Sequence, residues 1–486
     1  MSWLDGLIQF ISPERAVKRE AWRQTLEQMR NYDAASYGNG SANWRSVNEA
    51  AEATDRYSRD IVRARARDLE RNSDMMNAII GAYTRNVIGG GYNLQAKTDN
   101  EELNAYLEKA WRKWCKKRNC DVTGTQSFLQ MLRMWVQRKK IDGGILIVKR
   151  YTEGGFVPLK LQMFEVDELD INQLTPRLLN NKVVGGIEFD SYNRPVGYYI
   201  RQYSVDGMTP LGSIFIDAKD VIFLYSKHRP SQIREMSDMS PTINRIRDVN
   251  EFMTAVSIKE RILACLSVFI KKQVPTQSFG RGGTIASQQS YEGKTIAPGM
   301  IRELNAGDDV HVVNPAGQGA DATNYIAVQQ RMIAAGQGIS YEATSRDMSK
   351  SNYSSARQGI IEDEMTYASE KELLIEALDE IYESFVISLW LSKKIDIKDF
   401  WENKDKYFEH IWIVAPKRWI DPQKEANANK IALQTGQKTF MQISAEQGKD
   451  WKEHIDEIAD VLSYGREKGV DLGGIIFGKS EGEIYE

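Results

Sequence analysis

A few residues in this 486-residue chain are of types that could do chemistry, and each can be tested by its spacing. Gly293-Lys294-Thr295 has the ending of a phosphate-cradling P-loop, but the glycine five positions earlier is replaced by Gln288, and no Val/Ile-rich strand leads in. Gly317-Gln-Gly-Ala-Asp-Ala322 matches the dinucleotide-binding glycine pattern. Pro315 interrupts the strand-to-loop join, however, and the helix that follows leads into a polar loop rather than a second buried strand carrying a ribose-binding acid. Cys115 and Cys120 share Trp-Cys-Lys-Lys-Arg-Asn-Cys with no second ligand pair downstream, so they read as ordinary thiols. His228, His311, His410 and His454 lie far apart and form no zinc pattern. The pairs Asp308-Asp309 and Asp363-Glu364 could hold Mg²⁺ in a nuclease, yet carboxylates along a long helix normally form a solvated face. No G-x-S-x-G elbow is present, and no His stands near a Ser or Cys in a nucleophile signature. The residues call for no catalytic site, metal or cofactor.

Charge gives a second filter. Lys plus Arg number 64 against 67 Asp plus Glu, a net charge of −3, whereas a protein that grips DNA through counterion release should be basic. The near-zero sum is a cancellation. Tyr353 to Phe385 holds two basic and nine acidic residues, and Ala445 to the end holds five and eleven. Cations gather instead near Arg63–Arg71, Arg112–Arg118 and Arg133–Lys140, where solvated faces and salt bridges between subunits are the plain reading. Three Cys in a chain this long point to a reducing compartment. The longest uncharged apolar run, Ile262 to Ile270, is nine residues, and a membrane span needs about twenty. The N-terminus spaces Trp3, Leu4, Leu7, Ile8 and Ile11 as an amphipathic arm and has no leading basic stretch, so it does not read as a signal peptide.

The elements that must position these residues follow from periodicity. Residues 31 to 54 read as a loop or extended arm, and Ala53 to Val87 as one helix with Ile61, Leu69, Met76, Ile79, Ile80 and Tyr83 on its apolar side, stopped by Gly89-Gly90-Gly91. Leu103–Arg118 and Ser127–Lys140 form a helix pair, and residues 145 to 225 are mostly β. Ser240-Pro241 predicts the cap and first turn of a long helix through Leu263. Residues 273 to 322 are loop-rich, Thr323–Ala335 is helical, and Thr344–Ser355 has almost nothing to bury. Ala356–Leu391 predicts a helix of 36 residues, with Ile361, Met365, Ala368, Ile375, Leu378, Tyr382, Phe385 and Leu389 on one stripe. A strand at His410–Ala415 and helices from Pro422 to Thr435 and from Trp451 to Tyr464 complete the chain, and Gly473 onward reads as frayed.

Several separated motifs, in order, resemble the lambda-type phage portal proteins over nearly the whole length. They are Arg63-Ala-Arg-Ala-Arg-Asp-Leu-Glu-Arg-Asn72, Asn86-Val-Ile-Gly-Gly-Gly, His228-Arg-Pro-Ser-Gln-Ile-Arg234, and Gly338-Ile-Ser-Tyr-Glu-Ala-Thr-Ser-Arg-Asp347 running into Asn352-Tyr-Ser-Ser-Ala-Arg357. Trp419-Ile-Asp-Pro-Gln-Lys-Glu-Ala426 and Glu446-Gln-Gly-Lys-Asp-Trp451 complete the set. One departure is Arg234-Glu-Met-Ser-Asp-Met-Ser-Pro, longer than the Arg-Gly-x-Pro-type turn expected before the long helix.

The resemblance implies an α+β, elongated protomer with long stem and wing helices, a β-rich wing and clip, and a helical C-terminal crown. Its parts would be an N-terminal arm (1–55), wing (56–239), stem helix (240–266), clip (267–322), second stem helix (323–342), tunnel loop (343–353), long wing helix with closing strand (354–420) and crown (421–486). It implies a homo-oligomeric ring, usually a dodecamer, at one capsid vertex of the virion, assembled in the host cytoplasm. Double-stranded DNA would be packaged and ejected through its channel, with terminase, the major capsid and scaffold proteins and the head–tail connector as partners. Arg346, Lys350, Ser351, Asn352 and Arg357 would face the channel from the tunnel loop, and Lys259, Arg261, Lys271 and Lys272 would supply stem cations. Two alternatives share the pattern: another head–tail adaptor or structural ring protein, and a metal-dependent capsid-associated nuclease.

Overall fold

The computed structural model describes residues 10, 12–30, 48–265, 269–270, 302–303, 319–349, 352–414 and 422–470. The amphipathic arm expected at the N-terminus, most of the loop at 31–54, almost all of the clip and the frayed C-terminus lie outside them. The chain divides into two compact units, Met1–Thr54 and Asp55–Glu486. The first carries helix α1 (Pro13–Arg30), and α2 (Ala51–Asp55) closes it.

The helix expected from Ala53 to Val87 is broken. After α2 come α3 (Arg59–Asn72), α4 (Asp74–Tyr83) and a single wide π turn, Thr84–Ile88. Ser73 adopts an extended backbone between α3 and α4 and its hydroxyl accepts from Met76 N. That is an N-cap, which ends one helix and starts the next in a single residue. Ile61, expected on the apolar side, is exposed, while Arg59 and Arg63 are buried.

Strand β1 (Tyr92–Ala96) leads into α5 (Glu101–Trp114), the short α6 (Lys117–Cys120) and α7 (Phe128–Asp142), which opens on a reciprocal Ser127–Gln130 capping box. Gly143 ends α7 with φ 91°, and a Cβ there would lie 2.4 Å from the carbonyl carbon of Met236. Only glycine satisfies both conditions, and the chain turns directly into β2 (Gly144–Tyr151).

The β-rich region holds β3 (Leu159–Phe164), β4 (Lys182–Val184), β5 (Ile187–Phe189), β6 (Pro195–Tyr203), β7 (Pro210–Asp217) and β8 (Val221–Tyr225). They form two antiparallel sheets, ordered β3-β2-β8 and β4-β5-β6-β7. Central β2 is buried on both faces, which explains its unbroken Ile-Leu-Ile-Val run. Leu146, Val148, Ile187, Tyr198, Ile200 and Ile216 form a second small core shared by the two sheets.

Beyond the sheets come α8 (Ile243–Cys265), the two-residue parallel pair β9 (Phe269–Ile270) and β10 (Arg302–Glu303), α9 (Gly319–Gly336), α10 (Tyr341–Ser345) and α11 (Tyr353–Leu391). Helix α8 starts later than the Ser240-Pro241 signal predicts. Its first turn hangs on the Met239 carbonyl, which accepts from Thr242 N at 2.9 Å and Ile243 N at 3.1 Å. Helix α9 begins four residues before the expected Thr323, and α11 three before the expected Ala356. After α12 (Lys404–Phe408), strand β11 (His410–Val414) pairs antiparallel with β1, followed by α13 (Pro422–Gln434), α14 (Phe440–Glu446) and α15 (Trp451–Glu467).

The main core gathers residues from the C-terminal half of α11 together with α5 and α7. Trp111 sits at its centre, with ring centroids 4.9 Å from Trp114, 5.2 Å from Phe385, 5.5 Å from Phe128 and 5.5 Å from Trp412. Leu374, Leu378, Ile381, Tyr382, Phe385 and Leu389 are all buried there. Such aromatic clusters add edge-to-face attraction to their burial.

Candidate functional site

Five of the cations that stood out in the sequence, Arg63, Arg67, Arg138, Lys139 and Lys140, are consumed inside the protein, while Arg65, Arg71, Arg133 and the Arg112–Arg118 group are exposed. Glu235, fully buried in the segment that departs from the family turn, accepts from Arg63 Nη1 at 3.0 Å and Arg234 Nε at 2.7 Å. Its carbonyl accepts from Arg59 Nε. Arg234 also donates to the Gly185 and Val166 carbonyls, pinning the β-rich region to the approach of α8. Arg67 reaches Asp142, Asp167 and Glu165. The plain reading of solvated faces and intersubunit bridges is therefore wrong for Arg63 and Arg67, because their carboxylates come from distant segments of the same chain.

The acidic stretch of α11 behaves alike. Glu370 bridges Lys139 Nζ and Lys140 Nζ, each at 2.7 Å, with Asp238 completing the cluster. Desolvation works against its charge, yet Lys140 and Lys139 prevail and hold its carboxyl below the usual glutamate range. Glu380 pairs with Lys149, Asp379 accepts from His410 Nε2 and Trp412 Nε1, and Asp363 is buried beneath the next segment. Glu362, Glu372, Glu376 and Glu383 remain on the surface.

That next segment, Gln337 to Asn352, overlaps the Thr344–Ser355 stretch that the sequence marks as having almost nothing to bury, and the structure shows it tied down at both ends. Tyr83 donates its hydroxyl to the Gln337 carbonyl at 2.5 Å, and burial beside Glu370 drives the Tyr83 hydroxyl far above the usual tyrosine range. Gln337 Nε2 donates to Thr242 Oγ1 and the Asp238 carbonyl. Gly338 has φ 69°, and Thr366 Oγ1 donates to its carbonyl. Ser340 caps α10 by accepting from Ala343 N, while its own N–H and hydroxyl donate to Asp363 at 2.6 and 2.7 Å. Burial raises the Asp363 carboxyl, and these two bonds oppose the rise.

Arg346 ends α10 in the left-handed region, φ 58°, uncommon for a non-glycine residue. Its side chain lines a groove of about 260 Å³ together with Asp74, Met75, Val249, Met253 and Gln330. Arg85, on the π turn, lies within reach of its charge. Burial and then the Arg346 charge lower the Arg85 guanidinium. Asn352 starts α11, its Oδ1 accepting from Ser355 N at 2.8 Å while Ser355 Oγ accepts from Asn352 N. It is a capping residue. Arg357 is exposed one turn further on.

Of the residues marked from sequence, Arg346, Asn352 and Arg357 thus flank one short segment. Lys350 and Ser351, between them, lie outside the described residues, as do Lys271 and Lys272. Lys259 and Arg261 lie on α8, Arg261 exposed and donating to the Ser257 carbonyl. Arg85 was missed. It sits beside the Asn86-Val-Ile-Gly motif, and only the fold brings it to Arg346. Among the described residues no group of three or more His, Cys, Asp or Glu could hold a metal ion, and no helix is long and apolar enough to cross a membrane.

Comparison with known proteins adds the following. The profile of the family described as "Phage portal protein, lambda family" matches residues 37–371, which includes the Gln337–Asn352 segment and the residues that anchor it. The chain is 23% identical over 430 residues to the probable portal protein of Halomonas phage phiHAP-1, covering 85% of this chain and 82% of that one. It is 20% identical over 484 residues to portal protein B of Escherichia phage lambda, covering 88% and 89%. Among solved structures it resembles a chain in the neck of an empty GTA particle computed with C6 symmetry, at 14% identity and TM-score 0.40, covering 84% and 97%. It also resembles a chain in the neck of a native GTA particle computed with C12 symmetry, at 13% identity and TM-score 0.39, covering 80% and 98%.

Proposed function

The chain belongs to the lambda family of phage portal proteins, and from that premise we propose how its parts act. Copies close a ring, a dodecamer, at one capsid vertex of the virion. Double-stranded DNA enters through the central hole under a terminase motor and leaves through it at infection. Helices α8 and α9 serve as the stem, and the clip between them meets terminase and later the head–tail connector. The β-rich wing faces the major capsid and scaffold proteins, and α13–α15 form the crown. The family is structural, so the nuclease alternative is dropped.

The observation that carries the reading is the Gln337–Asn352 segment. It is anchored at both ends, yet its middle presents Arg346 beside Arg85 with no ion pair for either among the described residues. A DNA conduit requires weak contact, because each phosphate contact adds affinity through counterion release and a ring multiplies it by the copy number. One or two guanidiniums per copy can steer the duplex, while the surface carboxylates of α11 keep it from sticking. Arg346, Lys350, Ser351, Asn352 and Arg357 are proposed as the channel-facing set, with Arg85 added. Lys259, Arg261, Lys271 and Lys272 are the proposed stem cations.

Negative-stain microscopy of the purified chain tests the ring: a central hole is expected, and monomers overturn the reading. Arg85→Ala with Arg346→Ala tests the placement. Normal rings with impaired packaging or retention of DNA are expected, and unchanged packaging and retention would remove the arginines' role.

A further inference from the structure

Among the described residues, α9 and α11 each carry an exposed apolar face. On α9, Tyr325, Val328 and Met332 recur at steps of three and four and are 42%, 49% and 47% exposed. Tyr325 leans on Phe252 of α8, ring centroids 4.8 Å apart, and still keeps that exposure. The opposite side of α9 is satisfied, with Ile333 and Ala334 buried. Between Asn324 and Gly336 the only charged side chain is Arg331. A solvated helix face would carry more.

Helix α11 repeats the situation in its N-terminal half. Ile361 and Met365 belong in sequence to the same stripe as the buried Leu378 and Phe385, yet they are 42% and 67% exposed. Here the buried side is Asp363 and Tyr367 instead, which a helix places about 200° from Ile361 and Met365. Single exposed apolar residues are ordinary. Two periodic stripes on regular helices mark an interaction surface.

The two stripes are unlike, and that decides the occupant. A twofold dimer buries one patch against itself, whereas a closed ring requires each copy to offer two different patches, one to each neighbour. Charge is compatible: the α9 stripe carries the Arg331 cation beside Met332, and the α11 stripe, with Arg357 one turn before Ile361, is flanked by the exposed carboxylates Glu362 and Glu372. Resting on the ring reading above, we propose that the α9 stripe of one copy packs on the α11 stripe of the next. Tyr325, Val328 and Met332 then cover Ile361 and Met365, and Arg331 turns toward the acidic flanks.

Cysteine pairing in the full-length chain tests this directly. The double variant Val328→Cys/Met365→Cys, oxidised after assembly, should give a ladder of covalently linked copies on a non-reducing gel. Each single variant should stay at the level of the wild-type chain, which controls for the native thiols. Dimers from either single variant would mean that like stripes meet, and would overturn the pairing. Intact rings by native mass spectrometry without a ladder overturn the pairing alone, and a wild-type chain that never forms rings overturns the ring reading with it. In a second measurement, Met332→Asp/Met365→Asp should convert rings to monomers with an unchanged circular dichroism spectrum, since both side chains are largely exposed in the single copy. Rings that persist at wild-type yield would sink the proposal.

Discussion

The body between Arg59 and Val414 and the three C-terminal helices are held together by different physics. The body is knit by an aromatic core around Trp111 and by ion pairs taken out of water, such as Glu370 with Lys139 and Lys140. Within α13, α14 and α15 the only residues classed as buried are Ser444 and Gly465. Their links to α5 are Arg112–Glu453 and Lys452–Glu101, both on the surface. Buried pairs are costly to break singly, and exposed pairs contribute little. One chain therefore contains a region whose contacts are fixed before assembly and another that folds back on weak, salt-sensitive contacts.

The comparison can be broken at its strong end first. Trp111→Ala should destabilise the body by about 3–5 kcal/mol, the range for removing a large aromatic side chain from a core, read by urea denaturation with near-ultraviolet circular dichroism. A loss below 1 kcal/mol would mean that the core is not centred there. Glu370→Gln should cost about 3 kcal/mol at pH 7, because it strips the countercharge from two buried lysines. Its pH dependence sharpens the point. Glu370 has a carboxyl held below its ordinary value of 4.5, so its stabilising share is present above pH 4.5 and is lost as pH falls through the lowered value. The wild-type protein should lose stability on that acid limb, and the variant should be flatter there.

The weak end should respond locally. Thr439 accepts from Gln442 N and its own N–H is met by the Gln442 side chain, so Thr439→Ala should cost α14 about 1 kcal/mol. Hydrogen exchange should report the loss in residues 440–446 with the body unchanged. Smallest of all, Glu453→Gln should shift stability by less than about 1 kcal/mol. Raising salt to 0.5 M should erase that difference while leaving Glu370→Gln unaffected. A salt response of equal size in both would erase the contrast between the regions.

How much of this was legible in sequence depended on whether the signal was local. The capping box at Ser127, the glycine stop at Gly143 and the apolar stripe through Leu378 and Phe385 are short-range patterns, and the helices they imply are present. Ser73-Asp74 is an equally local cap pattern, which the reading of one continuous helix from Ala53 to Val87 does not use. Strand β1 was missed because its partner, His410–Val414, lies more than 300 residues away and five residues are too few to show a period. The site divided the same way. The polar run around Arg346 is readable, but Arg85 reaches it only through the packing of α4, the π turn and α10. The stripe of α11 shows the limit best. Ile361 and Phe385 are indistinguishable by period, and only tertiary structure reveals that one faces the core and the other faces outward.

Helix α11 is one uninterrupted rod of 39 residues. Its C-terminal half is clamped among aromatic rings, Glu370 is pinned by two lysines, and Asp363 is buried and held by Ser340, so the portion beyond the last of these ties runs from Asp363 to Asn352. Eleven residues at 1.5 Å each make an arm of about 16 Å. A tilt of about 5° about that tie displaces the Asn352 tip by about 1.4 Å, enough to stretch a hydrogen bond out of its working range. Force applied at the tip is thereby delivered first to the Ser340–Asp363 bonds, and through them to the segment that Ser340 caps.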